Sequence, residues 1–142
     1  MPVIYQIDTA SAIIRTRCVG AVTLEEVLAH FRDLVRDPDC PRRLDVLLDL
    51  SEETSLPESE QIKIIAYEVS RVRERVEFGT CAVVACSDAL YGMIRMFQVF
   101  TEKLFAETWV FRSLPEAEAW LGERLEARGP QAKSTLRPRL AN

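Results

Sequence analysis

Histidine is nearly absent: His30 is the only one in 142 residues. That argues against a zinc site, which draws mainly on histidine and cysteine. None of the four cysteines, Cys18, Cys40, Cys81 and Cys86, forms a Cys-x-x-Cys pair. No apolar run approaches the roughly 20 residues that a membrane span requires, so stable membrane insertion is not expected. The start, Met1-Pro2-Val3-Ile4-Tyr5, lacks a basic region followed by an apolar stretch. No secretory signal is expected from it, and a cytoplasmic location follows as the default. No paired nucleophile and base stands out along the chain, so enzymatic activity is not expected and no cofactor is implied.

What is present is an ordinary globular composition of length sufficient for one compact domain. Net charge is −4. It is uneven, because Arg128, Lys133, Arg137 and Arg139 make residues 127–142 a basic tail without an acid. The body, 1–126, is correspondingly acidic and is read as the single domain. An acidic body argues against a nucleic-acid partner, since phosphate binding needs a basic face.

The chain is organised around Leu44-Asp45-Val46-Leu47-Leu48-Asp49-Leu50, a short apolar run between turn signals. Such a run reads as a strand buried on both faces, followed by a polar loop at Ser51–Ser55. Before it come two strands, Val3–Asp8 and Ala12–Val19, close enough for a hairpin. A helix starts at Thr23, which with Glu26 matches a capping box, and carries an apolar stripe through Leu24, Val27, Leu28, Phe31 and Leu34. His30 falls off that stripe and reads as a solvated or boundary residue.

A second helix is expected over about Leu56 to Glu77. Ser55 would be its cap in Ser55-Leu56-Pro57-Glu58 and Gly79 its terminator. Ile64 and Tyr67 lie off its core stripe. Thr80–Cys86 is a second buried strand, and its two cysteines, roughly 16 Å apart on opposite faces, cannot bridge each other. All four cysteines read as buried reduced thiols. Ser87 can cap a third helix over about Asp88 to Ala106, whose Met and Phe residues cover about half its circumference. That is more apolar surface than a sheet alone covers, and self-association or an apolar ligand would cover it. Thr108–Phe111 is a last short strand. Ser113-Leu114-Pro115-Glu116 repeats the earlier tetrapeptide as the start of a fourth helix. The expected fold is therefore α/β: a mixed five-stranded sheet, an N-terminal hairpin then parallel βαβ units, with four helices.

Residues 3–126 carry more specific signs. They are Val46-Leu47-Leu48-Asp49 before a polar loop, Tyr91-Gly92-Met93-Ile94-Arg95-Met96-Phe97 on the third helix, and Val110-Phe111 leading into Glu116-Ala117-Glu118-Ala119-Trp120-Leu121. In this order they resemble the SpoIIAA-like branch of the STAS fold, which is itself similar to the CRAL-TRIO lipid-binding fold. The resemblance implies a non-catalytic regulatory or protein-interaction domain, here expected to be a homodimer joined through the apolar third helix. Its alternative implication is a carrier or sensor of a small apolar ligand or lipid. Anti-sigma-factor antagonists of this superfamily carry a phosphorylatable serine near the start of the helix after the buried strand, in an Asp-Ser-x-Gly setting. This chain departs there: Pro57-Glu58 takes the Asp-Ser place and no glycine follows, although Ser59 is adjacent. Glu58 would supply a fixed negative charge at a helix start. Any ligand site is expected beyond the carboxyl ends of the parallel strands, at a mouth formed by Ser51, Thr54, Ser87, Tyr91 and Arg95.

Overall fold

The computed structural model describes the backbone over residues 2–141 and the side chains over residues 2–127. Nine elements follow in the order β1 (Val3–Asp8), β2 (Ile13–Gly20), α1 (Leu24–Arg36), β3 (Arg43–Glu53), α2 (Ser59–Val72), β4 (Glu77–Val84), α3 (Asp88–Phe100), β5 (Glu107–Phe111) and α4 (Leu114–Ala141). The sheet order is β1-β2-β3-β4-β5. The β1–β2 pair is antiparallel and every other pair is parallel, with Val46 opposite Cys81 and Asp49 opposite Val84. The expected fold class is the observed one. Except for Ala127, the basic tail expected over 127–142 lies outside the residues whose side chains are described.

Parallel neighbours in chain order need a crossover each, and crossovers of one hand put α1, α2 and α3 on one face of the sheet. The packing agrees. The larger core joins Ile14, Leu44, Leu50, Cys81, Val83 and Val110 of the strands to Leu34, Ile62, Val69, Leu90, Ile94 and Phe97 of the helices. The alternate strand residues Ile13, Leu47, Ala82 and Val84 meet Ala117 and Leu121 of α4 on the other face. Burial on both faces is why β3 and β4 are nearly all apolar. Each fully buried Leu or Val contributes about 1.5–3 kcal/mol.

Several boundaries differ from those expected. The strand β3 runs on through Ser51 and Glu52 to Glu53, because a register shift between β2 and β3, with the extra residue on β3, lets Val19 and Gly20 pair with Glu52 and Glu53. The helix α2 starts at Ser59 with Glu58 as its cap; Ser55 is not a cap. The Ser55 hydroxyl is occupied elsewhere, accepting from the Val22 N–H at 3.0 Å. Gly79 does not end α2, which stops at Val72; Gly79 lies within β4. The helix α3 ends at Phe100, where the buried Thr101 hydroxyl donates to the Phe97 carbonyl at 2.8 Å. The following turns fold Phe105 back against Phe78, with ring centroids 5.2 Å apart. Cys86 lies past the end of β4 and is exposed, so the expectation of four buried thiols fails there. Cys18 and Cys81 are buried, Cys40 is half-buried, and all four are free. Among the described residues no helix is long and apolar enough to cross a membrane.

One close approach locks the two central strands. Asp45, 2 % exposed, accepts a hydrogen bond from the Thr80 N–H at 2.9 Å, and the Arg43 guanidinium lies 3.6 Å from the same carboxylate oxygen. A Cβ on Gly79 would collide with that oxygen and with the guanidinium. Gly79→Ala is therefore expected to lower stability by about 1–3 kcal/mol in urea denaturation, the usual cost of overpacking. Gly92, exposed within α3 with open space around it, is the control. Gly92→Ala is expected to raise stability by up to about 1 kcal/mol through helix propensity.

Candidate functional site

The sheet face under α1, α2 and α3 is floored by short side chains. Thr16 and Cys18 of β2, Val46 of β3 and Cys81 of β4 leave space that longer residues would fill. The helices roof this space with Val27 and Phe31 of α1, Ile65 and Val69 of α2, and Ile94 and Phe97 of α3. The result is a cavity of about 140 Å³ whose wall is overwhelmingly apolar. Among the described residues its lining holds no lysine and no arginine. An apolar cavity of roughly 150 Å³ stays dry and admits benzene or xenon, so this one has the dimensions of a small ligand.

Few polar groups reach it. His30 comes from α1, and its ring lies edge-on to Tyr5, centroids 5.0 Å apart, and tilted against Phe31 at 5.6 Å. Its Nδ1 is buried without a hydrogen-bond partner. Burial holds the imidazole neutral and lowers its pKa from 6.5 to about 4, although the Asp33 carboxylate pulls the other way. Glu53, at the end of β3, accepts from the Ser55 hydroxyl at 3.2 Å. Burial raises its pKa, and the Ser55 and Cys18 contacts oppose that rise. The Cys18 thiol is pushed up to about 12, first by burial and then by Glu53 and Asp49, which leaves it a poor nucleophile. Thr23, which caps α1, and Gln61, whose Oε1 accepts the Glu58 N–H at 2.9 Å, stand at the same end. The polar end of the cavity thus lies where the N-termini of α1 and α2 meet the end of β3.

The residues expected to form a mouth lie elsewhere, and none of them lines the cavity. The Ser51 N–H donates to Asp49 Oδ1 at 3.0 Å. Thr54 is held toward β2 by its N–H on the Gly20 carbonyl at 2.9 Å. Ser87 caps α3, accepting from the Leu90 N–H at 3.1 Å. Tyr91 lies under the Arg112 guanidinium, 4.1 Å from the ring centroid, and Arg112 pairs with Asp88 at 2.6 Å. Arg95 is exposed, as are Glu58 at the cap of α2 and Ser59 in its first position.

Neither His30 nor Glu53 was expected at a site. Of the two readings of His30, solvated or boundary, the structure agrees with the boundary one. His30 stands three residues after Val27 and four before Leu34, at the margin of the stripe, and the broad three-helix roof covers that margin. The signal was the spacing itself. For Glu53 no local signal existed, because its position depends on a register shift in the pairing of β3 with its neighbour β2. Among the described residues no group of three or more His, Cys, Asp or Glu side chains could hold a metal ion. The buried carboxylates Asp45 and Asp49 alternate with the cavity-lining Val46 and Leu48, so they point to the opposite face of the sheet. Compared with known proteins, the chain matches no family model and no curated sequence.

The lowered His30 pKa has a consequence for stability. A base whose folded pKa falls below its unfolded value contributes stability above pH 6.5 that is lost as pH drops toward 4. The drop corresponds to roughly 3 kcal/mol at full titration. Urea midpoints measured from pH 7 to pH 4 are expected to fall through this window in the wild type. In His30→Leu the fall is expected to be shallower by that amount.

Proposed function

We propose that this chain is a non-catalytic binding domain that holds a small apolar ligand between its sheet and α1–α3. The observation that carries this reading is the cavity of about 140 Å³, walled by apolar side chains and free of cations. Clefts that bind small molecules are mostly apolar, with few convergent polar groups. A non-catalytic role is supported by the groups at the wall. The thiol is held protonated, and the imidazole is kept neutral without a partner to act on. The reading accords with the CRAL-TRIO likeness. The order of elements and the parallel pairing also support the wider SpoIIAA-like resemblance. The four free thiols support a reducing, cytoplasmic setting, and the acidic body supports partners other than nucleic acid.

A second reading, a regulatory or protein-interaction domain that pairs with its own copy, is favoured by a separate observation. Beyond the apolar third helix first expected to join two copies, the exposed patch takes in α2 as well. Tyr67 and Ile64 of α2 are 67 % and 45 % exposed, and Val99 and Phe100 at the end of α3 are 65 % and 41 % exposed. Tyr67, Val99 and Phe100 border one shallow groove, edged by Glu102 and Lys103. Adjacent opposite charges suit a two-fold contact, in which each meets its opposite on the partner.

The two readings are tested separately. Val27→Phe, which fills the cavity from α1, is expected to raise the melting temperature. It is also expected to abolish the adduct seen by native mass spectrometry of freshly purified wild-type protein. A single apo mass for the wild type would count against the ligand reading. Light scattering is expected to give a dimer for the wild type and a monomer for Tyr67→Glu with Phe100→Glu. A wild-type monomer would remove the second reading and leave the first intact.

A further inference from the structure

Resting on the proposed reading of the cavity as a ligand site, we infer that its ligand is a small primary amine, protonated at neutral pH, whose apolar body fills the cavity and whose ammonium pairs with the Glu53 carboxylate. Three observations lead there. The wall is apolar and the space is about 140 Å³, so the body is an uncharged group of about the size of benzene. Among the described lining residues Glu53 is the one that carries charge, since burial keeps His30 neutral. The Glu53 carboxylate reaches the cavity floor, where it contacts the Cys18 thiol, and no cation among the described residues compensates it.

Glu53 is half-buried, so a head group reaches it at the end of the cavity and keeps part of its water. Its two side-chain partners, the Ser55 hydroxyl at 3.2 Å and the Cys18 thiol, are both neutral. A carboxylate partly withdrawn from water and held by neutral donors alone gains most from an added cation. Neighbouring basic residues do not supply it. Arg17 points to the other face of β2 from Cys18 and pairs with Glu52 at 3.7 Å, and Lys63 pairs with Glu60 at 3.2 Å. Helix N-termini attract anions, and α1 and α2 both begin at this end. Each already carries its own acids, Glu25 and Glu26 on α1 and Glu58 and Glu60 on α2. A carboxylate or phosphate head would meet all of this negative charge, and a hydrocarbon would leave Glu53 uncompensated. The amine is the class that suits both the wall and its end.

The test is an isothermal titration of the full chain with benzylamine, benzyl alcohol, benzoate and benzene, which share one ring and differ in the head. Benzene, without a head, reports on the cavity alone. Benzylamine is expected to bind about tenfold more tightly than benzyl alcohol, the increment of a charge-assisted hydrogen bond over a neutral one. Benzoate is expected not to bind. In Glu53→Gln, which keeps an acceptor for the Ser55 hydroxyl, the preference for the amine is expected to vanish while benzyl alcohol and benzene still bind. In Val27→Phe, which fills the cavity, benzylamine is expected not to bind. A further readout needs no variant: added salt is expected to weaken benzylamine and to leave benzyl alcohol unchanged.

Benzyl alcohol or benzoate binding as tightly as benzylamine overturns the amine assignment and, with benzene bound, leaves the cavity reading standing. An amine preference that survives in Glu53→Gln, benzylamine binding that survives in Val27→Phe, or an affinity for benzylamine indifferent to salt does the same. Failure of benzene to bind overturns the cavity reading and the assignment with it.

Discussion

The constraint on which the rest of the structure depends is the handedness of the crossovers. Four strands, β2 to β5, lie side by side in chain order and point the same way. Each connection between them must pass over the sheet in the same sense, so three helices share one face and α4 alone covers the other. Three helices abreast make a wide roof. Where the sheet beneath offers the short Thr16, Cys18, Val46 and Cys81 among the longer Ile14, Leu48, Leu50 and Phe78, that roof does not settle fully onto it, and a cavity remains. The single helix on the opposite face meets Leu47, Ala82 and Val84 closely with Ala117 and Leu121, leaving Arg15 free to reach Glu118 at the wet margin. The position of the cavity is therefore a result of topology, and its size a result of short side chains at four places on the floor.

This also explains what could be read from the sequence and what could not. The two buried strands, their parallel pairing and the helix between them followed from hydrophobic pattern alone, because burial on both faces leaves a continuous apolar run. Capping signals were legible only where no competitor took the side chain. The tetrapeptide Ser-Leu-Pro-Glu occurs at 55–58 and at 113–116. At the second place Ser113 Oγ accepts the Glu116 N–H at 3.4 Å and the helix begins as expected. At the first, the Ser55 hydroxyl is bound to the Val22 backbone and Glu53, and the helix begins four residues later at Ser59. Identical local chemistry gave different outcomes because a long-range contact outweighed a cap contributing about 1 kcal/mol. The same limit hid the candidate site. The mouth was sought at the polar ends of β3 and β4, whereas the cavity opens among residues brought together by three helices, and no local window contains them.

The ends of β3 and α2 were misjudged for related reasons. Ser51-Glu52-Glu53 is polar and reads as loop, yet it pairs with β2 after a register shift and delivers Glu53 to the cavity. Gly79 reads as a helix terminator because glycine so often is one. Its actual use is close packing, since the buried Asp45 carboxylate needs a neighbour without a side chain. Both errors arise where tertiary geometry assigns a residue a role that its local propensity does not express.

Asp45 and His30 show how burial separates structure from site. Both are ionisable groups taken out of water on opposite faces of one sheet. Asp45 has the Thr80 N–H and the Arg43 guanidinium on its carboxylate, so its desolvation is compensated within the fold and it joins β3 to β4. His30 has aromatic rings around it and no partner for Nδ1, so its desolvation is compensated only by staying neutral. A fold that closes over one group with full hydrogen bonding and buries the other without a partner has treated the two differently. The satisfied group is explained by strand pairing alone. The unsatisfied one is not, since phenylalanine or leucine would pack there without the cost of an orphaned nitrogen.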